Sequence, residues 1–426
     1  MISKEIESSY ISILKEELVP AMGCTEPIAI AYASSILADA LGGAPEEILA
    51  ELSGNIIKNV KSVIVPCTGG CHGIESAIAA GIISARPERC LQVLEELSAD
   101  APERIKDYLG RVKIDIEEVN SSCTFDLHLV GKAGGECAEV RILGAHTNVT
   151  LVTKNGCDLT EKYSLGETVE DTFYRVDRST LNVADIVEFA DMVDISLVSD
   201  LLDSQLSMNM AIAEEGLTNK WGASIGKLLL ECENTLSRRA RAYAAAGSDA
   251  RMSGCELPVC IISGSGNQGI TASVPVKIYA DALGVSHETM LRALLVSDLI
   301  TIHQKNGIGT LSAYCGAVSA GVGAGAGIAY LHGGRYYEIA HTLVNAVAII
   351  SGTICDGAKP PCAAKIAMAV EAGIMGWEMT RSGRQFFGGD GIVTKGVENT
   401  IRNVGRLARE GMAETDKEII NIMLGK

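Results

Sequence analysis

Aromatic side chains make up only 4% of this 426-residue chain. A core with so few rings must be assembled from Ala, Ile, Leu and Val, and 45 glycines allow backbones to approach closely. Positive charge is also in short supply. Lys and Arg number 36 against 53 Asp and Glu, a net charge of −17 that argues against nucleic acid and anionic membrane as partners. The N-terminal stretch MISKEIESSYISILKEELVPAMG is charged and amphipathic and lacks the apolar run of a signal peptide. The expected setting is a reducing cytoplasm, where clustered cysteines serve metals or catalysis rather than disulfides. The odd count of 13 cysteines agrees with that reading. No Asp, Glu, Lys or Arg occurs between Lys305 and Arg335. The run LSAYCGAVSAGVGAGAGIAYL within it is long enough to span a bilayer, but it is rich in Gly, Ala and Ser and only weakly hydrophobic. A buried helix packed through small residues is expected there, with no membrane partner.

The length is that of two to three domains, and 47% hydrophobic residues suffice for a substantial core. Ile6, Tyr10, Ile13, Leu14 and Leu18 recur at helical spacing. GCTEPIAIAYASSILADALGG reads as a turn and then a helix ending at Gly42-Gly43, with Pro27 in its first turn and Thr25 or Glu26 as cap. ELSGNIIKNVKSVIVPCTGG looks extended and loop-like, and CHGIESAIAAGIISA looks like a small-residue helix. Beyond residue 85, RVKIDIEEV, CTFDLHLVG and CAEVRILGAHTNVTLVTKNG show β-branched alternation broken by Gly-containing turns. Helical patterns return from about residue 180. The expected fold class is α+β: a mostly helical catalytic domain built from residues 1–85 and 200–426, with a smaller α/β domain, residues 86–199, inserted between them. GCTEPIAIAYA, GGCHGIESAIAAG and PPCAAKIAMAVEAG share one design, a Cys or Pro followed by an Ala-rich helix.

Several stretches could carry chemistry. Cys24 in GCTEP precedes a helix N-terminus, whose dipole is expected to lower its pKa and favour a thiolate base or nucleophile; the alternative is a small buried thiol. In SGSGNQG, Ser263, Gly264, Ser265 and Gly266 could converge backbone N–H groups on a carboxylate while Asn267 and Gln268 add neutral donors, or the segment is a tight turn after a strand. It lacks the Lys-Ser/Thr pair of a P-loop, and GVGAGAG lies inside a helix where a dinucleotide fingerprint would follow a strand. Cys315, Cys355 and Cys362 lack the short paired spacings of a zinc site but suit the looser spacing of an iron–sulfur cluster, unless they are buried structural thiols. Pro360-Pro361 is expected to hold the chain extended between the last two. Cys67, Cys71 and His72 in CTGGCHG resemble half a metal site with no second half. Asn55, Lys58 and Asn59 in GNIIKNV, and His303 and Lys305 in TIHQKNGIG, either line a pocket or serve the surface.

Taken together, GCTEPIAIAYA, SGSGNQG, AYCGAVSAGVGAGAG, ICDGAKPPCAAK and GMAETDKEIINIML resemble the L-cysteine desulfidase family, related to the α-chain of iron–sulfur L-serine dehydratases. The resemblance spans nearly the whole chain, with the middle segment least diagnostic. It implies a [4Fe–4S] cluster held by Cys315, Cys355 and Cys362, which leaves one iron open as a Lewis acid. It also implies Cys24 as proton acceptor and no pyridoxal phosphate. The expected reaction is α,β-elimination of a small amino acid, L-cysteine giving sulfide, pyruvate and ammonia. L-Serine deamination by the same machinery and a non-catalytic iron–sulfur or metal sensor are the alternatives. Ser263 to Gln268 would hold the substrate, helped by Asn55, Lys58, His303 and Lys305. Cys67 and Cys71 lie outside the family pattern. Packing of Gly/Ala-rich helices between subunits would suit a homodimer.

Overall fold

The computed structural model describes residues 2–424 except Ser62, Asn120, Ser122, residues 167–173, Cys232, Glu233 and Thr310. The fold is α+β and mostly helical. Its larger sheet has six strands in the order Lys113–Val119, Glu47–Ser53, Asp126–Ala133, Glu136–Leu143, Val149–Lys154 and Cys157–Asp158. The first pair is parallel and the others are antiparallel. Period-two alternation puts Leu127, Leu129, Val140, Ile142 and Val152 on the buried side. Helix Thr25–Leu41 lies between the sheet and helix Gly73–Ser84. Burial on all sides explains why it reads as continuously apolar, with Asp39 alone exposed.

The expected boundaries do not follow this sheet. ELSGNII is not loop-like: Glu47–Ser53 is a paired interior strand, its partners lying beyond residue 85. Its period-two pattern is masked by the polar residues of helix Gly54–Val60, which follows without a break. At the other end, helix Val183–Met192 packs on helix His287–Ile308, so the helical part begins before residue 200.

The helical part is organised around Gly316–Leu331, buried from Ala317 onward. Helices Gly266–Leu283, His287–Ile308, Tyr336–Ile350 and Cys362–Arg381 surround it. Small residues allow this. A Cβ on Gly373 would overlap the carbonyl of Gly321, and one on Gly321 would overlap the backbone of Ala369. Sixteen residues at about 1.5 Å each fall short of a bilayer's hydrocarbon core. Among the described residues no helix is long and apolar enough to cross a membrane.

A two-stranded antiparallel ribbon, Pro20–Met22 with Pro258–Cys260, ties the two parts together. Thr25 Oγ1 then donates to the Gly264 carbonyl at 2.7 Å. The start of helix Thr25–Leu41 is thereby fixed beside the start of helix Gly266–Leu283.

Candidate active site

Four helices begin at one cavity of about 90 Å³. Cys24 is the N-cap of Thr25–Leu41, Ser265 of Gly266–Leu283 and Cys315 of Gly316–Leu331, while Cys362 opens Cys362–Arg381. All four residues line the cavity, with Cys355, Asn267, Gln268, Lys305, Glu26, Asn59 and Arg251. Each helix start carries about half a positive charge on amides without intrahelical partners, so their convergence favours anions and thiolates.

Local backbone pairing brings the thiols together. Tyr314 and Ile354 form an antiparallel bridge, Cys315 N donates to Thr353 O at 3.0 Å, and Cys355 N donates to Ala313 O at 2.6 Å. The Pro360-Pro361 pair does not hold the chain extended. Pro361 is in the α region at φ −60°, and Cys362 N donates to Lys359 O at 2.9 Å, which makes a tight turn into the helix. Pro is well suited there because its missing N–H and fixed φ cost nothing at a helix start.

The thiols differ in acidity. Cys355 is held down to about 6, mainly because the Cys315 thiol donates to it, and the charges of Lys58 and Lys305 help against the effect of burial. Donation to Cys355 and burial push Cys315 up. Burial raises Cys362. Burial also lowers Lys305, to about 8. Its Nζ donates to Gly309 O at 2.6 Å.

The expectation of a lowered Cys24 pKa is overturned. Burial, then the adjacent Glu26 carboxylate, push it well above the ordinary thiol value. Cys24 Sγ donates to Glu26 Oε2 at 3.2 Å, and Asn59 Nδ2 donates to Glu26 Oε1 at 2.8 Å. Burial alone would raise Glu26, but His146, Cys24 and Arg251 outweigh it and hold the carboxyl below its usual range.

The other expected residues divide. Ser265, Asn267, Gln268 and Lys305 line the cavity with the four cysteines, and Gly266 packs against Arg251. Ser263 and Gly264 line a second cavity of about 260 Å³. Ser263 N donates to the chain's own Glu17 Oε2 at 2.5 Å, so that amide is already taken by an anion. Asn55 Nδ2 and Lys58 Nζ donate to the two oxygens of Asp416 at 2.8 and 2.7 Å, and neither lines the small cavity. His303 Nε2 lies 2.7 Å from Glu398 Oε2, also away from it. Cys67 and Cys71 lie outside both cavities. Among the described residues no group of three or more His, Cys, Asp or Glu side chains could hold a metal ion as it stands.

Of the three residues that GNIIKNV offered as pocket candidates Asn59 alone lines the cavity, while Glu26 and Arg251 contribute polar groups that the sequence reading did not assign to the site. Asn59 and Glu26 were visible within quoted motifs. Arg251, buried at 3% exposure, gave no signal. Several polar atoms at the cavity have no hydrogen-bond partner among the described residues: Nε and Nη2 of Arg251, Oδ1 of Asn59 and Asn267, and Oε1 of Gln268. Buried atoms of this kind normally find a partner, so they mark a place for a polar ligand.

Residues 88–421 match the serine dehydratase alpha chain family. The chain belongs to that family. A UPF0597 protein of Desulfitobacterium hafniense is 53% identical, over 98% of this chain and 97% of its own length. UPF0597 proteins of Lachnoclostridium phytofermentans and Treponema denticola are 47% and 42% identical, over 97% and 99% of this chain and 99% of their own lengths in both cases. Within the serine dehydratase alpha chain family, whose name denotes a lyase, the matched span carries Cys315, Cys355, Cys362 and the SGSGNQG helix start. Cys24 and Glu26 precede it.

Proposed function

We propose that this chain eliminates the β-substituent of a small L-amino acid, with L-cysteine as substrate and sulfide, pyruvate and ammonia as products. The observation that carries the reading is the convergence of four helix N-termini and four cysteine thiols on one small cavity. A volume of about 90 Å³ is well below the roughly 300 Å³ or more of a drug-sized pocket, which favours a small substrate.

Cys315, Cys355 and Cys362 are the residues that would hold a [4Fe–4S] cluster. Thiolates are the donors such clusters use, and the ligands of a cluster ride on separate irons, so they need not meet at one point as the ligands of a single ion must. Lys305 and the helix dipoles offset the anionic charge that three thiolates bring. When bound with three protein ligands, the cluster supplies a Lewis-acidic iron.

The chain's own groups account for the rest. The amides at the start of Gly266–Leu283 and the Nε and Nη2 of Arg251 suit a substrate carboxylate. The amide oxygens of Asn267 and Gln268 suit the α-ammonium group. Cys24 is the proton acceptor for Cα. Because it rests as a thiol donating to Glu26, it becomes a base by passing its proton to that carboxylate.

L-Serine deamination is the second reading, favoured by the family itself. Anaerobic reconstitution followed by assays of iron, acid-labile sulfide, and pyruvate from each amino acid decides between them. Faster pyruvate and sulfide release from L-cysteine supports the proposal; preference for L-serine replaces it. A fully loaded cluster with no product from either amino acid overturns both.

A further inference from the structure

The 260 Å³ cavity lies where the six-stranded sheet meets the helical part. Helix Lys4–Glu17 ends on it with Glu16 and Glu17, and His146 comes from the loop between strands Glu136–Leu143 and Val149–Lys154. None of Cys24, Cys315, Cys355 and Cys362 lines it. Ionisable groups of both signs are buried in its wall: Glu17, His146 and Arg178 are 4%, 5% and 5% exposed. Their bonding is incomplete. Arg178 Nη2 serves two carboxylates at once, Glu16 Oε2 at 3.0 Å and Glu17 Oε1 at 2.8 Å. The second contact is an ion pair only, so Glu17 Oε1 accepts no hydrogen bond among the described residues. Arg178 Nε, Arg89 Nε and His146 Nε2 likewise have no hydrogen-bond partner there. The other Glu17 oxygen takes the Ser263 amide at 2.5 Å, which fixes the carboxylate in place.

We propose that this cavity binds a free α-amino acid with an apolar side chain, a molecule other than the substrate of the small cavity. The atoms left without hydrogen bonds are the complement of a zwitterion. The guanidinium N–H groups of Arg178 and Arg89 suit its carboxylate, and Glu17 Oε1 suits its ammonium group. His146 Nε2 can donate to the first or accept from the second, according to tautomer. A plain anion fits less well, because Glu16 and Glu17 already face Arg175 and Arg178. The electrostatics agree. Burial raises Glu17 against the opposing effects of Arg178 and the Ser263 amide, so the carboxylate gains from a further positive group. Burial lowers His146, so its ring is neutral. Val19, Leu91 and Ile261 line the same space and would receive the apolar side chain. The volume of about 260 Å³, against about 90 Å³ for the small cavity, admits a larger molecule than cysteine, yet it stays below the roughly 300 Å³ where drug-sized pockets begin. With none of the four active-site thiols on its wall, the cavity holds its ligand without converting it. This inference does not rest on the elimination reading.

Titration calorimetry of the full chain with L-leucine and L-methionine tests it, because binding is read without turnover. One-to-one binding of at least one of them is expected. For L-leucine, the analogue without the ammonium group, 4-methylpentanoate, and the analogue without the carboxylate, 3-methylbutan-1-amine, should each bind about tenfold or more weakly. Arg89→Met removes a partly exposed guanidinium paired with Glu95 and Glu96 and should weaken amino-acid binding about tenfold. Ala145→Phe fills the cavity while leaving its buried ion pairs in place, and should abolish binding. No heat from either amino acid at millimolar concentration would overturn the site. So would undiminished binding by Ala145→Phe, which would place the ligand elsewhere. Equal affinity for L-leucine and 4-methylpentanoate would overturn the zwitterion and leave a carboxylate site. Failure of the elimination reading would alter none of these outcomes.

Discussion

Cys24 and Glu26 form a hydrogen-bonded pair across the first turn of helix Thr25–Leu41, Sγ to Oε2 at 3.2 Å, both side chains buried. The pair changes what the cysteine is. A thiol at a helix start reads as a ready thiolate. Next to a buried carboxylate it is a thiol whose proton has a destination.

Glu26→Gln tests this directly. The amide removes the negative charge that raises Cys24 but cannot receive a proton. The expected result is a loss of L-cysteine turnover of about 100-fold or more, with iron content unchanged. Cys24→Ser should behave alike. Turnover of Glu26→Gln within twofold of wild type would show that the carboxylate is not the acceptor.

Much of this site was legible because cysteine and proline mark helix starts. The shared pattern of Cys or Pro before an Ala-rich helix pointed to Cys24 and Cys362, and ICDGAKPPCAAK held two of the three thiols. Partners distant in sequence were not legible. Lys58 and Asn59 are neighbours on one short helix, yet about 100° of helical rotation sends one to Asp416 and the other to Glu26. His303 sits near Lys305 in sequence but turns to Glu398, 95 residues away. The strand Glu47–Ser53 was obscured for the same reason: its partners lie beyond the helix and loop that follow it.

The C-terminal helix Ala413–Leu424 is anchored by Asp416, which receives Lys58 and Asn55. Lys58 is 2% exposed. Asp416→Ala would leave that ammonium buried without its counter-charge, and a destabilisation of about 3 kcal/mol is expected. The double variant Lys58→Met with Asp416→Ala should recover part of it. Urea unfolding of cluster-free protein measures both, and equal stability of the single and double variants would contradict the account.

Asp298 is fully buried, accepts from Gln205 Nε2 at 3.1 Å, and is pushed up to about 8 by burial. A carboxyl raised in the folded state holds a proton that the unfolded chain has lost. Between about pH 4 and pH 8 its contribution to stability therefore falls as pH rises, and above 8 the loss is complete. Asp298→Asn keeps the shape and removes the titration. Denaturant midpoints from pH 5 to 9 should decline less steeply in the variant. Parallel curves would show that Asp298 does not titrate in this window.

Glycine at a helix crossing should show the opposite sign from glycine elsewhere in a helix. Alanine normally gains about 1 kcal/mol over glycine in a helix interior. At Gly307 an added Cβ would meet only Gly405 Cα, at 3.6 Å, so Gly307→Ala should be neutral or stabilising. At Gly373 the same methyl would overlap the Gly321 carbonyl, and backbone cannot move aside as a flexible side chain can. Separating helices Gly316–Leu331 and Cys362–Arg381 would also shift Cys315 and Cys362, which begin them. Gly373→Ala should therefore cost about 1–3 kcal/mol and lower the iron retained after anaerobic reconstitution. Urea midpoints and iron analysis of the two variants side by side measure this. A stabilised Gly373→Ala protein with full iron content would show that the crossing tolerates a methyl and that helix spacing does not set the separation of the thiols.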